Sequence, residues 1–285
     1  MKIIDAYSTI LTAYEGTDFN FEKWKNYIET ALPDASSMFI SDMKKCLETE
    51  DYSWEKDYLP VLNAVALNSG LREKAYASFC KVTENLEQTV YEKFGRKLDV
   101  DIIFYLGLCN GAGWVTEYRR RKAVFLGIEK IMELNWCGLN YMYGLIYHEL
   151  GHAYQSAYGV LERTFDNNEH SFLWQLFTEG IAMYFEQTLV GNPNYYHQDK
   201  NGWKQWCDEH FEEIKRDFVC DLSTMTFANQ RYFGDWVKYK NHGDVGYYLG
   251  CRFVRYVLTT NTFDEIIRFD IDAVTELYRQ FIKEV

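Results

Sequence analysis

The sequence of 285 residues lacks paired cysteines and has little proline. Its 7 cysteines are scattered and include no Cys-x-x-Cys pair, which argues against a disulfide framework and against a metal site made of cysteines alone. We therefore expect reduced thiols that pack as small hydrophobic side chains. With only 3 prolines and no Ser/Gly tracts, the chain has no long segment typical of disorder.

Positive charge is also scarce, since 30 Lys and Arg stand against 42 Asp and Glu, for a net charge of −12. Such an acidic chain repels phosphate backbones, so nucleic acid is not an expected partner. The one tight basic cluster, at 119–122, is interpreted as a solvated turn beside a strand.

Long apolar runs are missing as well. The longest, at 139–147, is interrupted by Asn140 and Gly144 and is too short to cross a bilayer. The N-terminus reaches Asp5 before the apolar region of a signal peptide could form. The sequence therefore predicts a cytoplasmic protein without a membrane partner.

Hydrophobic residues make up 47% of the chain and aromatic residues 18%, enough for a large core. Apolar residues recur at helical spacing over most of it. The pattern predicts helices at 18–30, 36–48, 54–66 (with a break or kink at Pro60), 71–90, 138–158, 171–190, 202–218, 243–260 and 272–283.

Between the two helical parts, residues 100–106 and 123–128 are rich in β-branched and aromatic residues and are predicted to be strands. The glycine-rich segment 107–114 between them is not a phosphate loop, because it lacks the Lys-Ser/Thr ending. We predict a mostly helical α+β protein with a helical N-terminal region at 1–98. Residues 99–285 would form a domain in which a small sheet leads into helices, separate from or continuous with the first region.

The sequence from His148 to His152 is a His-Glu-x-x-His motif within a predicted helix. Residues four apart lie on one helix face, so both imidazoles can reach one metal ion at about 2.0–2.1 Å. Glu149 is rotated around the helix and can act on water as a general base. A chance match is expected in about 1% of such chains. We therefore predict that His148 and His152 bind one Zn²⁺ per chain.

A catalytic zinc ion needs a third protein ligand and an open position. Glu179 follows His152 by 27 residues, which leaves room for a loop and a returning helix. Small residues beside it, Gly180 and Ala182, permit close helix approach. Asp166, Glu169 and His170 are the alternative ligands.

Glu186 lies two turns beyond Glu179 on the same predicted helix. We interpret it as a solvated surface residue, with support of a ligand histidine as the alternative.

The motif at 148–152, followed by the Glu-Gly-Ile-Ala segment that begins at Glu179, resembles the gluzincin metallopeptidases, the group that includes thermolysin and aminopeptidase N. Over about residues 100–257, the chain is most similar to a family of predicted zinc-dependent proteases of little-known function. The resemblance implies a thermolysin/aminopeptidase-like catalytic domain. It also implies His148, His152 and Glu179 as metal ligands and Glu149 as the base.

The segment Gly246-Tyr247-Tyr248-Leu249-Gly250 resembles the Tyr-x-x-Gly segment of the aminopeptidase branch, in which the tyrosine stabilises the oxyanion. The resemblance implies this role for Tyr247, with Tyr248 and His242 as alternatives. The aminopeptidase segment Gly-x-Met-Glu-Asn is matched only loosely by residues 111–115, which lack its glutamate. An aminopeptidase restricted to free N-termini is therefore not expected.

The function predicted from these motifs is a zinc-dependent hydrolase, a peptidase acting on a peptide or protein substrate. The strand at 123–128 would form a sheet edge along which an extended peptide pairs. One alternative is a zinc-binding, chaperone-like or stress-related binding protein without peptidase activity. Another is a hydrolase of a different amide or an ester on the same scaffold. An intact Glu149 favours an enzyme, because a structural zinc site needs no general base.

Overall fold

The computed structural model describes residues 1–49, 52–234 and 237–284. It is α+β and mostly helical with a small sheet, as the sequence predicts. The chain divides into two units, Met1–Glu149 and Leu150–Val285. The predicted boundary near residue 98 lies within the first unit.

The first unit contains the sheet and the helices packed around it. Its strands are β1 (Lys2–Asp5), β2 (Tyr14–Glu15), β3 (Asp18–Phe19), β4 (Asp101–Tyr105), β5 (Gly113–Tyr118) and β6 (Arg121–Gly127). Its helices are a 3₁₀ helix (Tyr7–Ala13), α1 (Phe21–Ala31), α2 (Ser36–Thr49), a π-helix (Trp54–Tyr58), α3 (Leu59–Leu67), α4 (Ser69–Thr83), α5 (Leu86–Phe94) and α6 (Ile128–Glu133). Helix α7 (Leu139–Tyr158) runs across the division between the units.

The main sheet has the strand order β1-β4-β6-β5. Strands β1, β4 and β6 are parallel, and β5 is an antiparallel edge strand. The sequence predicted that 123–128 forms the edge of the sheet, and this is wrong, because β5 pairs along the outer side of β6. The start of β5 lies in the glycine-rich segment 107–114, for which the sequence predicted no strand, so β5 was not recognised.

The turn between β5 and β6 consists of Arg119 and Arg120, which are exposed and have φ of 52° and 63°. Positive φ at both positions is the geometry of a two-residue hairpin turn whose twist matches that of its strands. The interpretation of 119–122 as a solvated turn is thus confirmed for Arg119 and Arg120, whereas Arg121 and Lys122 already belong to β6.

Two predicted helices are each divided in the structure. The stretch 71–90 contains most of α4 and the start of α5, and α5 ends at Phe94, which is capped by Gly95 with a left-handed φ of 70°. The stretch 202–218 spans α9 (Trp203–Glu209) and most of α10 (Phe211–Leu222). The break predicted at Pro60 is confirmed, because Pro60 lies in the first turn of α3, where it requires no N–H partner.

The second unit is helical and is built around α8 (Asn168–Val190), which is buried along most of its length. Besides α9 and α10, it contains α11 (Val245–Val257), α12 (Phe263–Ile266) and α13 (Ile271–Glu284). Helices α8 and α11 touch at two glycines: a Cβ on Gly180 would lie 2.2 Å from the carbonyl oxygen of Gly250. Only glycine permits this backbone-to-backbone approach.

All 7 cysteines are free thiols, and Cys137, Cys207 and Cys251 are buried as small hydrophobic residues. Cys80 and Cys220 are exposed instead. Among the described residues, no helix combines the length and apolar character that a bilayer span requires.

Candidate metal centre

Helix α7 carries the His-Glu-x-x-His motif in its second half. His148 and His152 lie one turn apart on one face of this continuous helix. His148 is 4% exposed and Glu149 8% exposed, so both polar side chains are held in the interior. Buried imidazole and carboxylate groups are costly unless they are hydrogen-bonded or bind a metal.

The close approach of α7 and α8 places the next ligand. A Cβ on Gly151 would lie 2.7 Å from Ala182 Cα and 3.1 Å from Phe185 Cβ. The glycine inside the motif therefore lets the two helices touch. At this contact, His152 Nε2 lies 3.2 Å from Glu179 Oε2.

His148, His152 and Glu179 each offer one ligand atom, and these atoms lie within 4.8 Å of one another. Two imidazole nitrogens and one carboxylate oxygen form a donor set of catalytic zinc sites, which keep a fourth position open. Atoms at such separations can converge on one ion with small side-chain adjustments, so the residues fit a zinc ion. The structure thus brings together the three ligands proposed from the sequence.

A second cluster of potential ligands shares His148 with the first. Only some of its members were identified from the sequence. Glu186 is completely buried, so its interpretation as a solvated residue is wrong. Its two carboxylate oxygens lie 3.0 and 2.9 Å from Nδ1 of His197, which is also buried. Together with His148, these residues form a second group whose ligand atoms lie within 4.8 Å of one another.

The burial of Glu186 follows from its position, since residues seven apart return to the same face of a helix and Glu179 faces inward. His197 offered no such signal. It lies between α8 and α9 in a segment without helical or strand periodicity.

The general-base candidate lies against the edge of the sheet. A Cβ on Gly113 would lie 2.8 Å from Glu149 Cγ and 2.9 Å from its Oε1. Gly113 opens β5, so the carboxylate lies at the start of the edge strand. A side chain at this position would displace Glu149, and the glycine-rich segment is therefore needed here.

The outer side of β5 presents unpaired backbone groups. A two-residue hairpin makes Tyr118 and Arg121 a hydrogen-bonded pair, and such pairs alternate along the ladder. The N–H and C=O groups of Gly113, Val115 and Glu117 then point away from β6. No hydrogen bond joins these groups to another part of the described chain.

The glycine-rich segment before β5 is fixed by a buried carboxylate. Glu129 is 1% exposed, and its oxygens accept hydrogen bonds from the backbone N–H groups of Gly107 (2.9 Å) and Cys109 (3.1 Å). Burial raises the pKa of Glu129 to about 7, although these hydrogen bonds act in the opposite direction.

The three oxyanion candidates differ in what their side chains contact. The hydroxyl of Tyr248 is buried and donates to Asp208 Oδ1 at 2.7 Å. The ring of His242 stacks on Trp206 with centroids 3.7 Å apart. Tyr247 lies in the first turn of α11, half-buried, with its ring edge against Phe233. The hydroxyl of Tyr248 and the ring of His242 thus contact residues outside the cluster of potential metal ligands.

The alternative third ligands lie outside both groups of potential ligands. Asp166 and Glu169 are exposed. The backbone N–H of His170 donates to Asn167 Oδ1 at 2.7 Å in the N-cap of α8. The geometry therefore favours Glu179 among the ligands considered from the sequence.

The described residues thus provide a three-ligand cluster, an adjacent carboxylate and an open strand edge. No family model, no curated protein and no solved structure matches the chain.

Proposed function

We propose that this protein is a zinc-dependent hydrolase of the gluzincin type that cleaves peptide bonds, with a thermolysin/aminopeptidase-like catalytic domain. The observation that carries the proposal is the cluster of His148, His152 and Glu179, in which His152 Nε2 and Glu179 Oε2 are 3.2 Å apart. Two histidines and one carboxylate leave a coordination position for the reaction, as a catalytic site requires.

The position of Glu149 supports catalysis over a structural role for the metal. Glu149 does not belong to either group of potential ligands, yet it is adjacent to His148 and lies against Gly113. A structural zinc site is closed by four protein ligands and needs no such neighbour.

Zinc held by these ligands would supply Lewis acidity and lower the pKa of a water molecule to near 7. Glu149 accepts the proton of the attacking water and passes it to the leaving amine. The hydroxyl of Tyr247 donates a hydrogen bond to the developing oxyanion. Each of these steps assigns a role to one side chain and can be tested separately.

The substrate would bind as an additional strand along β5, which replaces the edge first expected at 123–128. The outward backbone groups of Gly113, Val115 and Glu117 can form a ladder with an extended peptide. Since Gly113 contacts Glu149, a peptide paired at this end of β5 brings one of its carbonyls to the base. Because β5 is open along its outer side, endopeptidase activity fits this mode of substrate binding best.

The variant Glu149→Gln tests the assigned base. The amide keeps the shape of the side chain but cannot accept the proton, so hydrolysis of a peptide library should fall by about 10²–10⁴-fold. Zinc content should remain that of the wild type. The matched control is Glu169→Gln, which changes an exposed carboxylate at the start of α8 and should leave both properties unchanged. Wild-type cleavage by Glu149→Gln would show that another group is the base.

The library also separates the proposed function from its alternatives. If the protein binds zinc and cleaves an ester or a non-peptide amide but cleaves no peptide, it is a different hydrolase on the same scaffold. Zinc binding without any hydrolysis would support a zinc-binding, chaperone-like protein. Cleavage of internal peptide bonds, lost in Glu149→Gln, is the result that we expect.

A further inference from the structure

A cavity lined only by residues of the second unit has no role in the proposed hydrolysis. It is open to the surface and has a volume of about 390 Å³, within the range typical of small-molecule sites. Its charged lining consists of Lys204, Arg252 and Arg255 against Asp208 alone. Three positive charges and one negative charge leave a net charge of +2 in a chain whose total is −12.

The one acidic group in the cavity is already neutralised. Asp208 Oδ2 lies 2.5 Å from Lys204 Nζ, and Oδ1 accepts the hydroxyl of Tyr248 at 2.7 Å. Burial raises the pKa of Asp208, but the hydrogen bonds from Lys204 and Tyr248, together with the positive charges of Lys204 and Arg252, outweigh it and hold the pKa below its usual range. Asp208 thus positions Lys204 and also attracts Arg252, and the charged lining as a whole remains positive.

Arg255 is held mainly by one buried partner, Gln187. Its Nε donates to Gln187 Oε1 at 3.2 Å, and its Nη2 donates to the same oxygen and to the carbonyl of Pro193. Gln187 is only 1% exposed and is itself held by a 2.8 Å hydrogen bond from its Nε2 to the Tyr195 carbonyl. Among the described residues, Nη1 of Arg255 has no hydrogen-bond partner, so one side of the guanidinium is left for a ligand.

Arg252 lies one turn before Arg255 on α11 and completes the pair. Its guanidinium carbon is 4.5 Å from the ring centroid of Phe211 and 5.9 Å from that of Tyr248, and these contacts hold the side chain over the aromatic rings. Within the part of the chain that the structure describes, it forms no hydrogen bond or ion pair. Its N–H donors are therefore available to an anion.

The remaining walls are largely apolar, with Tyr196, Tyr256 and Phe281 around the cavity. A guanidinium binds phosphate or carboxylate through two parallel hydrogen bonds. A phosphate monoester carries about −1.5 to −2 charges at pH 7, which matches the cavity better than a carboxylate does. The aromatic walls fit an apolar or aromatic body attached to the phosphate.

We propose that this cavity is a binding site for a small phosphate monoester with an aromatic or apolar body. Arg252 and Arg255 bind the phosphate, and Tyr256, with the accessible edge of Tyr196, contacts the body of the ligand. The site requires neither zinc nor Glu149.

Calorimetric titration with phenyl phosphate, inorganic phosphate and benzoate tests the proposal. Phenyl phosphate should bind at about one per chain and more tightly than the other two probes. Arg252→Gln changes an exposed side chain and should weaken this binding about tenfold or more. Arg255→Lys keeps the charge, removes the planar fork and should weaken binding similarly.

The matched control is Arg268→Gln, which removes an exposed arginine outside the cavity and should bind phenyl phosphate as the wild type does. The absence of saturable binding to the folded wild-type protein would overturn the proposal. Equal binding by Arg252→Gln would do the same, because it would locate the anion elsewhere. Benzoate binding as tight as that of phenyl phosphate would refute the preference for phosphate.

Discussion

The contact between α7 and α8 at Gly151 gives a sharp prediction about stability and metal binding. In Gly151→Ala, the new methyl group would lie 2.7 Å from Ala182 Cα and 3.1 Å from Phe185 Cβ, whereas ordinary contacts begin at 3.4 Å. The nearest atom belongs to the backbone of α8, so a side-chain rotation cannot relieve the clash. The two helices must move apart by several tenths of an ångström.

The size of the effect follows from two opposing contributions. Overpacking a tightly packed interior costs about 1–3 kcal/mol. Alanine favours the helix over glycine by about 0.5–1 kcal/mol. We therefore expect the free energy of unfolding to fall by about 1–2 kcal/mol, which corresponds to about 2–8 °C in Tm for units of this size.

Urea unfolding followed by circular dichroism measures this change. The matched control is Gly70→Ala in α4, where a Cβ meets nothing within 4 Å and alanine should stabilise the protein by about 0.5 kcal/mol. Since the shift also separates His152 from Glu179, Gly151→Ala should bind zinc more weakly than Gly70→Ala. Equal urea midpoints for the two variants would refute the close helix contact.

Three further predictions concern other side chains. Because the pKa of Glu129 is raised to about 7, its protonated form stabilises the fold below about pH 4.5, and this contribution of up to about 3 kcal/mol is lost as the pH rises through 7. Glu129→Gln should therefore flatten the dependence of the urea midpoint on pH. An unchanged dependence would contradict the raised pKa of Glu129. Tyr247→Phe should lower kcat about 10²-fold. Tyr248→Phe should keep the wild-type kcat but lower the free energy of unfolding by about 1–3 kcal/mol, because it removes the hydrogen bond to Asp208. The reverse pattern would exchange the roles of the two tyrosines. His197→Ala should lower the free energy of unfolding by about 1–3 kcal/mol, because it removes the donor at the buried Glu186 carboxylate. A wild-type urea midpoint would argue against the hydrogen bond between His197 and Glu186.

Local spacing made much of the candidate site predictable from the sequence. The interval of four residues places His148 and His152 on one helix face whatever the rest of the fold does. Glu179 could be chosen because small residues beside it permit helix contact, and the structure places these residues at the crossings of α8 with α7 and α11. Periodicity likewise predicted most helices, although it could not show the break between α4 and α5.

Features that depend on distant parts of the chain were not predictable in this way. Strand β1 has an ordinary polar and apolar mixture and becomes a strand only by pairing with β4. Strand β5 begins at a glycine, a weak strand former, and its pairing with β6 changes which edge of the sheet is open. The partner of Glu186 lies in a segment without periodicity, so the sequence could not show that this carboxylate is buried against His197.

The metal content of the purified protein tests the central claim most directly. Elemental mass spectrometry should find about one zinc per chain in the wild type and in His242→Ala, which changes a histidine outside the cluster. His152→Ala should contain almost none, while keeping the helical circular dichroism signal of the wild type. Equal zinc in His152→Ala, or no zinc in the wild type after zinc is supplied, would contradict the proposed metal centre.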